Sequence, residues 1–408
     1  RPAGRFSWLW LQLGIFLALA PVLVWQQLPV SVLSPLVNLL AIPVFALLMV
    51  PLSLGSVLAQ MVAPDLGQLL MPLVGWLLDV FLLALDAVAQ WLPPLQWGLF
   101  AVEILLLLGG LNLFLLWLAA RRNWHPLWLM AFLSTASLCL LLFLQQPSAP
   151  APNSFRFTLL DVGQGLSAVV RTARNVLVFD TGPGFPSGFN TGSAVLLPYF
   201  ADQRISRIDR LILSHSDTDH VGGAKDVIQR MPVADVLSGE PSGLGIRQSV
   251  RRCVAGAVWW WDGVRFDVLY PFPGGTQEGN NASCVLKVSA AGQSVLITGD
   301  VEAQGENRLV KQVSDKLKSQ VVVAAHHGSA SSSTENFIDA TDASYVLFAA
   351  GKNNRWGFPR PDVMERWLAH GAVLLNTADE GAIEFNLGAG EKAVPLSWFG
   401  VSRHYWHK

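Results

Sequence analysis

Charge is what this 408-residue chain has little of, and the shortage is local: residues 1–150 hold four arginines, three aspartates and one glutamate. With 52% hydrophobic residues and a mean hydropathy of +0.41, the chain is too apolar for an ordinary soluble protein of its length, which excludes a purely soluble enzyme. After residue 150 the charge load becomes ordinary, excluding an all-membrane channel or a disordered tail. Neither sign predominates, since the formal net charge is −1, so the basic footprint of an electrostatic nucleic-acid binder is missing. Cysteine is scarce too. Cys139 lies in an apolar run, which leaves Cys253 and Cys284 as the one available bridge, and two reduced, buried thiols are the expectation.

What the first part does have is apolar runs. Segments at 8–25, 36–58, 66–90, 98–120 and 126–145 each approach or exceed the roughly 20 helical residues that cross a bilayer. Arg1 and Arg5 precede the first, and Arg121 and Arg122 fill the connector between the fourth and fifth. Five alternating spans put both pairs on one side, and positive-inside bias makes that side cytoplasmic. The chain then leaves the fifth span on the outer face. A helix at 66–90 lying on the membrane surface would put the arginine pairs on opposite sides; crossing is the reading adopted. Tryptophans near the proposed span ends, Trp8, Trp25, Trp97 and Trp124 among them, suit interfacial anchoring. Asp79, Asp86 and Glu103 would line a polar path or face solvent near helix ends. The first apolar run lacks a small-residue cleavage site, so it reads as the start of a fragment inside a membrane domain and not as a signal peptide.

Residues 1–146 thus form the membrane domain, and Pro147-Ser-Ala-Pro-Ala-Pro152 a linker whose three prolines cannot continue a helix. From 153 to 408 short β-rich runs appear at Phe155–Leu160, Ala168–Thr172, Val176–Phe179, Leu211–Leu213, Val264–Tyr270, Val285–Val288, Val295–Thr298 and Val321–Ala325. Helical patterns fall near Ala224–Met231, Ala303–Val313, Thr334–Asp339 and Val363–His370, and Asp262-Gly263 marks a hairpin after Trp259-Trp260-Trp261. Strands followed by strand-helix alternation predict a layered α/β domain.

The sharpest feature is Ser214-His215-Ser-Asp217-Thr-Asp219-His220-Val-Gly222-Gly223 after an apolar strand. Two imidazoles and two carboxylates within six residues are hard to explain structurally, whereas a divalent cation supplies the missing charge. Two other strand ends carry matching groups: Asp300 after Val295–Gly299, and His326-His327-Gly328 after Val321–Ala325. Each alone is weak. Together they suit a two-metal hydrolytic centre with one bridging carboxylate.

These residues resemble the metallo-β-lactamase superfamily, and in particular the ComEC competence DNA-uptake channel family. The matching stretches are Asp161-Val-Gly-Gln-Gly165, Phe179-Asp180-Thr-Gly182, the His215–Gly223 motif, Thr298-Gly-Asp300, His326-His327-Gly-Ser329 and Asn354-Arg355-Trp356-Gly357-Phe358-Pro359. The resemblance implies a polytopic α-helical membrane segment followed by an αββα sandwich. It implies His215, Asp217 and Asp300 on one metal, and Asp219, His220, Asp300 and a histidine of the pair on the other. Sequence does not settle which histidine; His327 is taken as the ligand and His326 as a catalytic contact to substrate or leaving group. Asp180 would hold the ligand loop from behind. Asn281 stands where many superfamily members have another histidine. That residue and Asp217 enrich the site in oxygen donors, which favours Mn²⁺ over Zn²⁺. Arg355 and Arg360 would contact a phosphate.

The implied function is DNA internalisation during natural transformation at the bacterial inner membrane. The soluble domain would lie on the periplasmic side as a metal-dependent nuclease acting on the strand that is not imported, with Asp219 orienting the attacking water. Implied partners are incoming or single-stranded DNA, membrane lipid, other DNA-uptake proteins and the missing N-terminal part of the same protein. Two rivals stand beside it: a membrane-tethered hydrolase of small phosphodiesters, and a non-catalytic DNA-binding or channel-assembly domain. Trp259-Trp260-Trp261 would stack bases or, by the strand reading, alternate between burial and exposure.

Overall fold

Six strands run through the first part of the soluble half: β1 Phe155–Leu159, β2 Ala168–Arg171, β3 Val176–Phe179, β4 Arg210–Leu213, β5 Val236–Ser238 and β6 Arg251–Arg252. Seven more follow as β7 Val258–Trp261, β8 Val264–Tyr270, β9 Val285–Ala290, β10 Gln293–Ile297, β11 Val321–Val323, β12 Tyr345–Phe348 and β13 Val373–Asn376. The chain then returns to the first sheet as β14 Ile383–Leu387 and β15 Leu396–Ser397. The computed structural model describes residues 33–91, 149–274, 278–388, 390 and 392–401, with isolated positions 12, 16, 110, 114, 117 and 121. It divides into two units, Arg1–Gln146 and Pro147–Lys408.

In the second unit the sheets have the orders β15-β14-β1-β2-β3-β4-β5-β6 and β13-β12-β11-β10-β9-β8-β7. Alternation sends one row of each strand between the sheets: Phe155, Phe157, Leu159 and Phe179 from one side meet Phe266, Leu286, Val295 and Ile297 from the other, with Phe385 of β14 among them. The opposite rows are apolar as well, because helices cover them. Leu196, Phe200 and Val227 pack on the outer face of the first sheet, and Leu309, Phe337 and Trp367 on that of the second. Strands buried on both faces read as continuous apolar runs, as Val-Leu-Val-Phe of β3 does. The result is the expected αββα sandwich.

The tryptophan run follows the pleat. Trp259 and Trp261 pack inward against Phe266, whose ring stacks on Trp259 at 5.1 Å, while Trp260 is 60% exposed. The hairpin turn at Asp262 and Gly263 takes positive φ at both positions (49° and 85°), as the twist of a two-residue hairpin requires. One expectation is overturned: Cys253 and Cys284 are joined in a disulfide. It ties the residue after β6 of the first sheet to the residue before β9 of the second, a cross-link that spacing alone did not reveal.

In the first unit, Ser34–Val62 and Pro64–Leu85 are long and apolar enough to cross a membrane. They contain most of the segments expected at 36–58 and 66–90. The first widens to a π turn at Phe45–Met49, between Pro43 and Pro51, which lack the amide donors of a regular ladder. A single residue, Ala63, separates the two helices, held out of helical geometry by Pro64 behind it. Phe45 meets Phe81 edge to face across the pair, yet Leu40, Leu47, Met61 and Leu69 stay exposed. Asp79 is exposed as well. Apart from the isolated positions named above, the segments proposed at 8–25, 98–120 and 126–145 lie outside the described residues, as do Arg1, Arg5, Arg122, Glu103 and the side chain of Asp86.

Candidate metal centre

Two pairs of parallel strands deliver the chemistry at their C-terminal ends. β3 ends in Asp180 and β4, its parallel neighbour, in Ser214-His215; β10 ends in Thr298-Gly-Asp300 and β11, parallel to β10, leads to His326-His327. The two sheets touch here. The Cys284 amide donates to the Ser214 carbonyl at 3.0 Å, and the Asp300 amide to the Ser283 hydroxyl at 3.0 Å. Gly299, at φ 57°, has no room for a side chain: a Cβ would lie 2.9 Å from those of Ser214 and Ser283.

His215 and His220 are fully buried, and His327 and Asp300 almost so. His220 Nε2 lies 3.1 Å from Asp300 Oδ1; His327 Nε2 lies 3.5 Å from Asp300 Oδ2 and 3.3 Å from Asp219 Oδ2. The donor atoms of His215, His220 and Asp300 fall within 4.8 Å of one another, and so do those of Asp219, His220 and His327. Asp217 stands at the margin, half its side chain exposed and 3.5 Å from His215 Nε2. Asp300 presents one oxygen to each group.

The ring tautomers follow from the partners behind them. Asp180, fully buried, accepts from the Ser214 amide (2.6 Å) and hydroxyl (2.7 Å) and from His220 Nδ1 (2.8 Å). With its proton committed to Asp180, the Ser214 hydroxyl accepts from His215 Nδ1 at 2.9 Å. Both imidazoles thereby aim Nε2 into the site, the atom that a cation would take. His215 Nε2 and His327 Nε2 are buried without a hydrogen-bond partner, and His220 Nε2 and Asp300 Oδ1, equally buried, have only each other at 3.1 Å. Orphaned polar atoms are costly in a protein interior, and these four converging atoms, with no partner outside their own cluster, form a donor set for divalent cations. With no cation the charges balance one another. Burial pushes Asp300 up, but His220 and His327 outweigh it and hold the carboxyl well below its ordinary range. Burial likewise pushes His220 down, while Asp300 and Asp180 hold it well above the usual imidazole value.

Backbone geometry sets the histidine pair. His326, His327 and Gly328 all take positive φ (50°, 56° and 83°), a turn that swings the two imidazoles apart at a cost of roughly 1–3 kcal/mol per strained non-glycine residue. His327 points inward. His326 is 22% exposed by side chain, with Nδ1 3.2 Å from Ser331 Oγ and 3.5 Å from Glu302 Oε1, and Nε2 3.7 Å from Asp300 Oδ2. The Asp161–Gly165 motif supports the opposite wall: Gly165 lies against the Asp219 carbonyl, which a Cβ would approach to 2.4 Å, and the Leu166 amide donates to that carbonyl.

The remaining expected residues lie outside this cluster. Asn281 sits at the start of helix Ala303–Leu317, where its Oδ1 accepts from the amides of Glu302 and Gly305. Arg355 and Arg360 are exposed on the segment that docks to the histidine turn through the Arg360 amide and the Gly328 carbonyl. Ser331 and Glu302 were not singled out from sequence, and Ser214 was named only as a member of the histidine motif, without a role. Their one signal was adjacency to the motifs, since serines and a glutamate at strand ends are common.

Residues 160–351 match the family model of the metallo-beta-lactamase superfamily and residues 1–122 that of the competence protein family. The chain is 36% identical over 380 residues to the competence protein ComA of Neisseria gonorrhoeae, covering 92% of this chain and 50% of that protein. To Recombination protein 2 of Haemophilus influenzae it is 29% identical over 411 residues, with 93% and 50% covered. The metallo-beta-lactamase fold protein YhfI of Bacillus subtilis is a structural neighbour at 13% identity and a TM-score of 0.36, covering 54% of this chain and 95% of that one. The chain spans about half the length of the curated relatives it matches. It belongs to the ComA/ComEC-like competence proteins and carries a metallo-β-lactamase superfamily domain in its second half.

Proposed function

We propose that this protein takes part in DNA uptake from within the membrane, and that residues 153–408 form a two-metal phosphodiesterase that degrades the strand not imported. The observation that carries this reading is the set of four buried, converging donor atoms on His215, His220, His327 and Asp300, which have no hydrogen-bond partner outside the cluster. His215, Asp217 and Asp300 would hold one ion; Asp219, His220, Asp300 and His327 the other. Three carboxylates among six ligands favour Mn²⁺, with Zn²⁺ the alternative. Bound there, such ions neutralise charge developing on a phosphate and activate water for in-line attack.

The chain's own groups supply the rest. Asp219, a third exposed by side chain, would orient the attacking water and accept its proton. His326, open to solvent and braced by Ser331 and Glu302, would donate a proton to the leaving oxygen. Arg355 and Arg360, exposed beside the histidine turn, would hold the phosphate.

A location outside the cytoplasm, after several membrane crossings, is supported by the Arg1/Arg5 and Arg121/Arg122 parity and by the Cys253–Cys284 disulfide, a bond at home in an oxidising compartment. Incubating the full chain in detergent micelles with single-stranded DNA, duplex DNA or a choline phosphodiester, with and without Mn²⁺, tests the function. Metal-dependent cleavage of DNA is expected. Turnover of the choline ester alone would make it a small-phosphodiester hydrolase, and DNA binding without cleavage a non-catalytic domain.

A further inference from the structure

The turn that follows β12 carries an exposed aromatic residue that the metal chemistry does not use. Trp356 is 46% exposed. Its ring lies nearly parallel to that of Phe358, at 17° and 6.5 Å between centroids, and the Arg355 guanidinium sits 4.2 Å over it. Phe358 in turn meets His326 edge to face at 5.7 Å. A line of π faces therefore runs from solvent to the histidine pair.

The turn is also held firmly. Asn354 accepts from the Phe358 amide and donates to the carbonyls of Gly351 and Phe358. The Gly351 amide donates to Gln164 of the Asp161–Gly165 motif, and the Arg360 amide to the Gly328 carbonyl. Both ends of the turn are thus fastened to segments that carry the metal site. One exposed tryptophan is ordinary on a protein surface. A preorganised tryptophan backed by a second ring, with a cation over its face and a phosphodiester site at its foot, is a built arrangement.

We infer that Trp356, backed by Phe358, stacks on an unpaired base next to the scissile phosphate, so that the centre takes single-stranded in preference to double-stranded DNA. The inference rests on the phosphodiesterase reading of the site. Every base has a π face, so stacking holds a strand without reading its sequence. In a duplex that face is already covered by neighbouring pairs, and only an unpaired base offers it. The Arg355 guanidinium, now over the indole, exchanges this contact for a phosphate oxygen when the base arrives, keeping its charge paired throughout. The choice of single strands then comes from this turn and not from net charge.

The test compares affinities of the full chain in detergent micelles, by anisotropy, for a labelled oligothymidylate, an abasic strand of equal length and the corresponding duplex. A chelator is present so that no strand is cut. Wild-type protein should bind the oligothymidylate about tenfold more tightly than the abasic strand. Trp356→Ala should remove most of that difference through weaker oligothymidylate binding, with abasic affinity kept, while Trp356→Phe should retain a good part of it. Equal wild-type affinities for the two single strands, no measurable binding, equal losses on both strands in Trp356→Ala, or a Phe variant that behaves like the Ala variant would each overturn the platform. A separate incubation of wild-type protein with Mn²⁺ reports the phosphodiesterase independently. Absence of cleavage dismisses that reading whatever the affinities, and cleavage with equal affinities dismisses the platform alone.

Discussion

The Oδ2 of Asp180 lies 2.8 Å from Nδ1 of His220, and both side chains are shut off from solvent. The same carboxylate accepts from the amide and hydroxyl of Ser214, whose oxygen faces Nδ1 of His215. One buried anion therefore sets two imidazoles so that each presents Nε2 to the site. Asp180→Asn keeps the shape but weakens the hold on His220 and frees the Ser214 hydroxyl to turn. Affinity for Mn²⁺ or Zn²⁺, measured by titration against a chromogenic chelator, should fall roughly 10–100-fold. Unchanged affinity would show that the imidazoles are oriented by other means.

Glu306 offers a pH test away from the metal donors. It is fully buried in the first turn of helix Ala303–Leu317 and accepts from the amides of Ser333 and Thr334, holding the segment that follows the histidine turn. Burial pushes its carboxyl up to about 6, against an ordinary 4.5, despite those amides. Because the folded value is the higher one, the folded state binds more protons between them. This group's contribution is complete below pH 4.5 and is lost as pH rises through about 6, roughly 2 kcal/mol in all. Thermal midpoints of the full chain compared with Glu306→Gln should diverge across that window, the wild type losing relative stability as pH rises. Parallel pH profiles would contradict the buried-acid account.

The Cys253–Cys284 bridge closes a separation of 31 residues between the two sheets. Its loss should cost about 3–4 kcal/mol if chain entropy governs, read as a lower denaturation midpoint after mild reduction of the full chain. Equal midpoints before and after verified reduction would show the cross-link to be energetically idle.

Topology has its own check. A reporter active only outside the cytoplasm, fused after Pro150, should be active; activity of a cytoplasm-only reporter at the same junction would reverse the orientation inferred from the arginine pairs.

The fold was legible wherever apolar runs ended in Gly or Asp. β3 and β8 span the expected residues, and the other anticipated strands differ by one or two residues at either end, as fraying ends do. Harder to see were β12, β13 and β14. The last closes the first sheet by pairing with β1 over more than 220 residues, a partnership that local pattern does not encode. The histidine motif was legible because four ionisable groups in six residues need a common partner. The mates of His326 were not, since Glu302 and Ser331 gain meaning only when the positive-φ turn at His326 and His327 aims the ring at them. The disulfide was missed for a similar reason: its cysteines stand in different sheets.

The most direct test of the two-metal centre is the metal-to-protein ratio of the full chain after equilibration with Mn²⁺, measured by elemental analysis on wild type, Asp300→Asn, Asp219→Asn and the remote control Asp202→Asn. Asp300 turns one oxygen toward His220 and the other toward His327, so its neutral amide deprives both ions. Occupancy should approach two in the wild type and the control, drop by about half in Asp219→Asn, and fall well below that in Asp300→Asn. Single-stranded DNA cleavage should fall alongside by about 10²-fold or more. Full metal occupancy together with full cleavage in Asp300→Asn would contradict the bridged two-metal assignment.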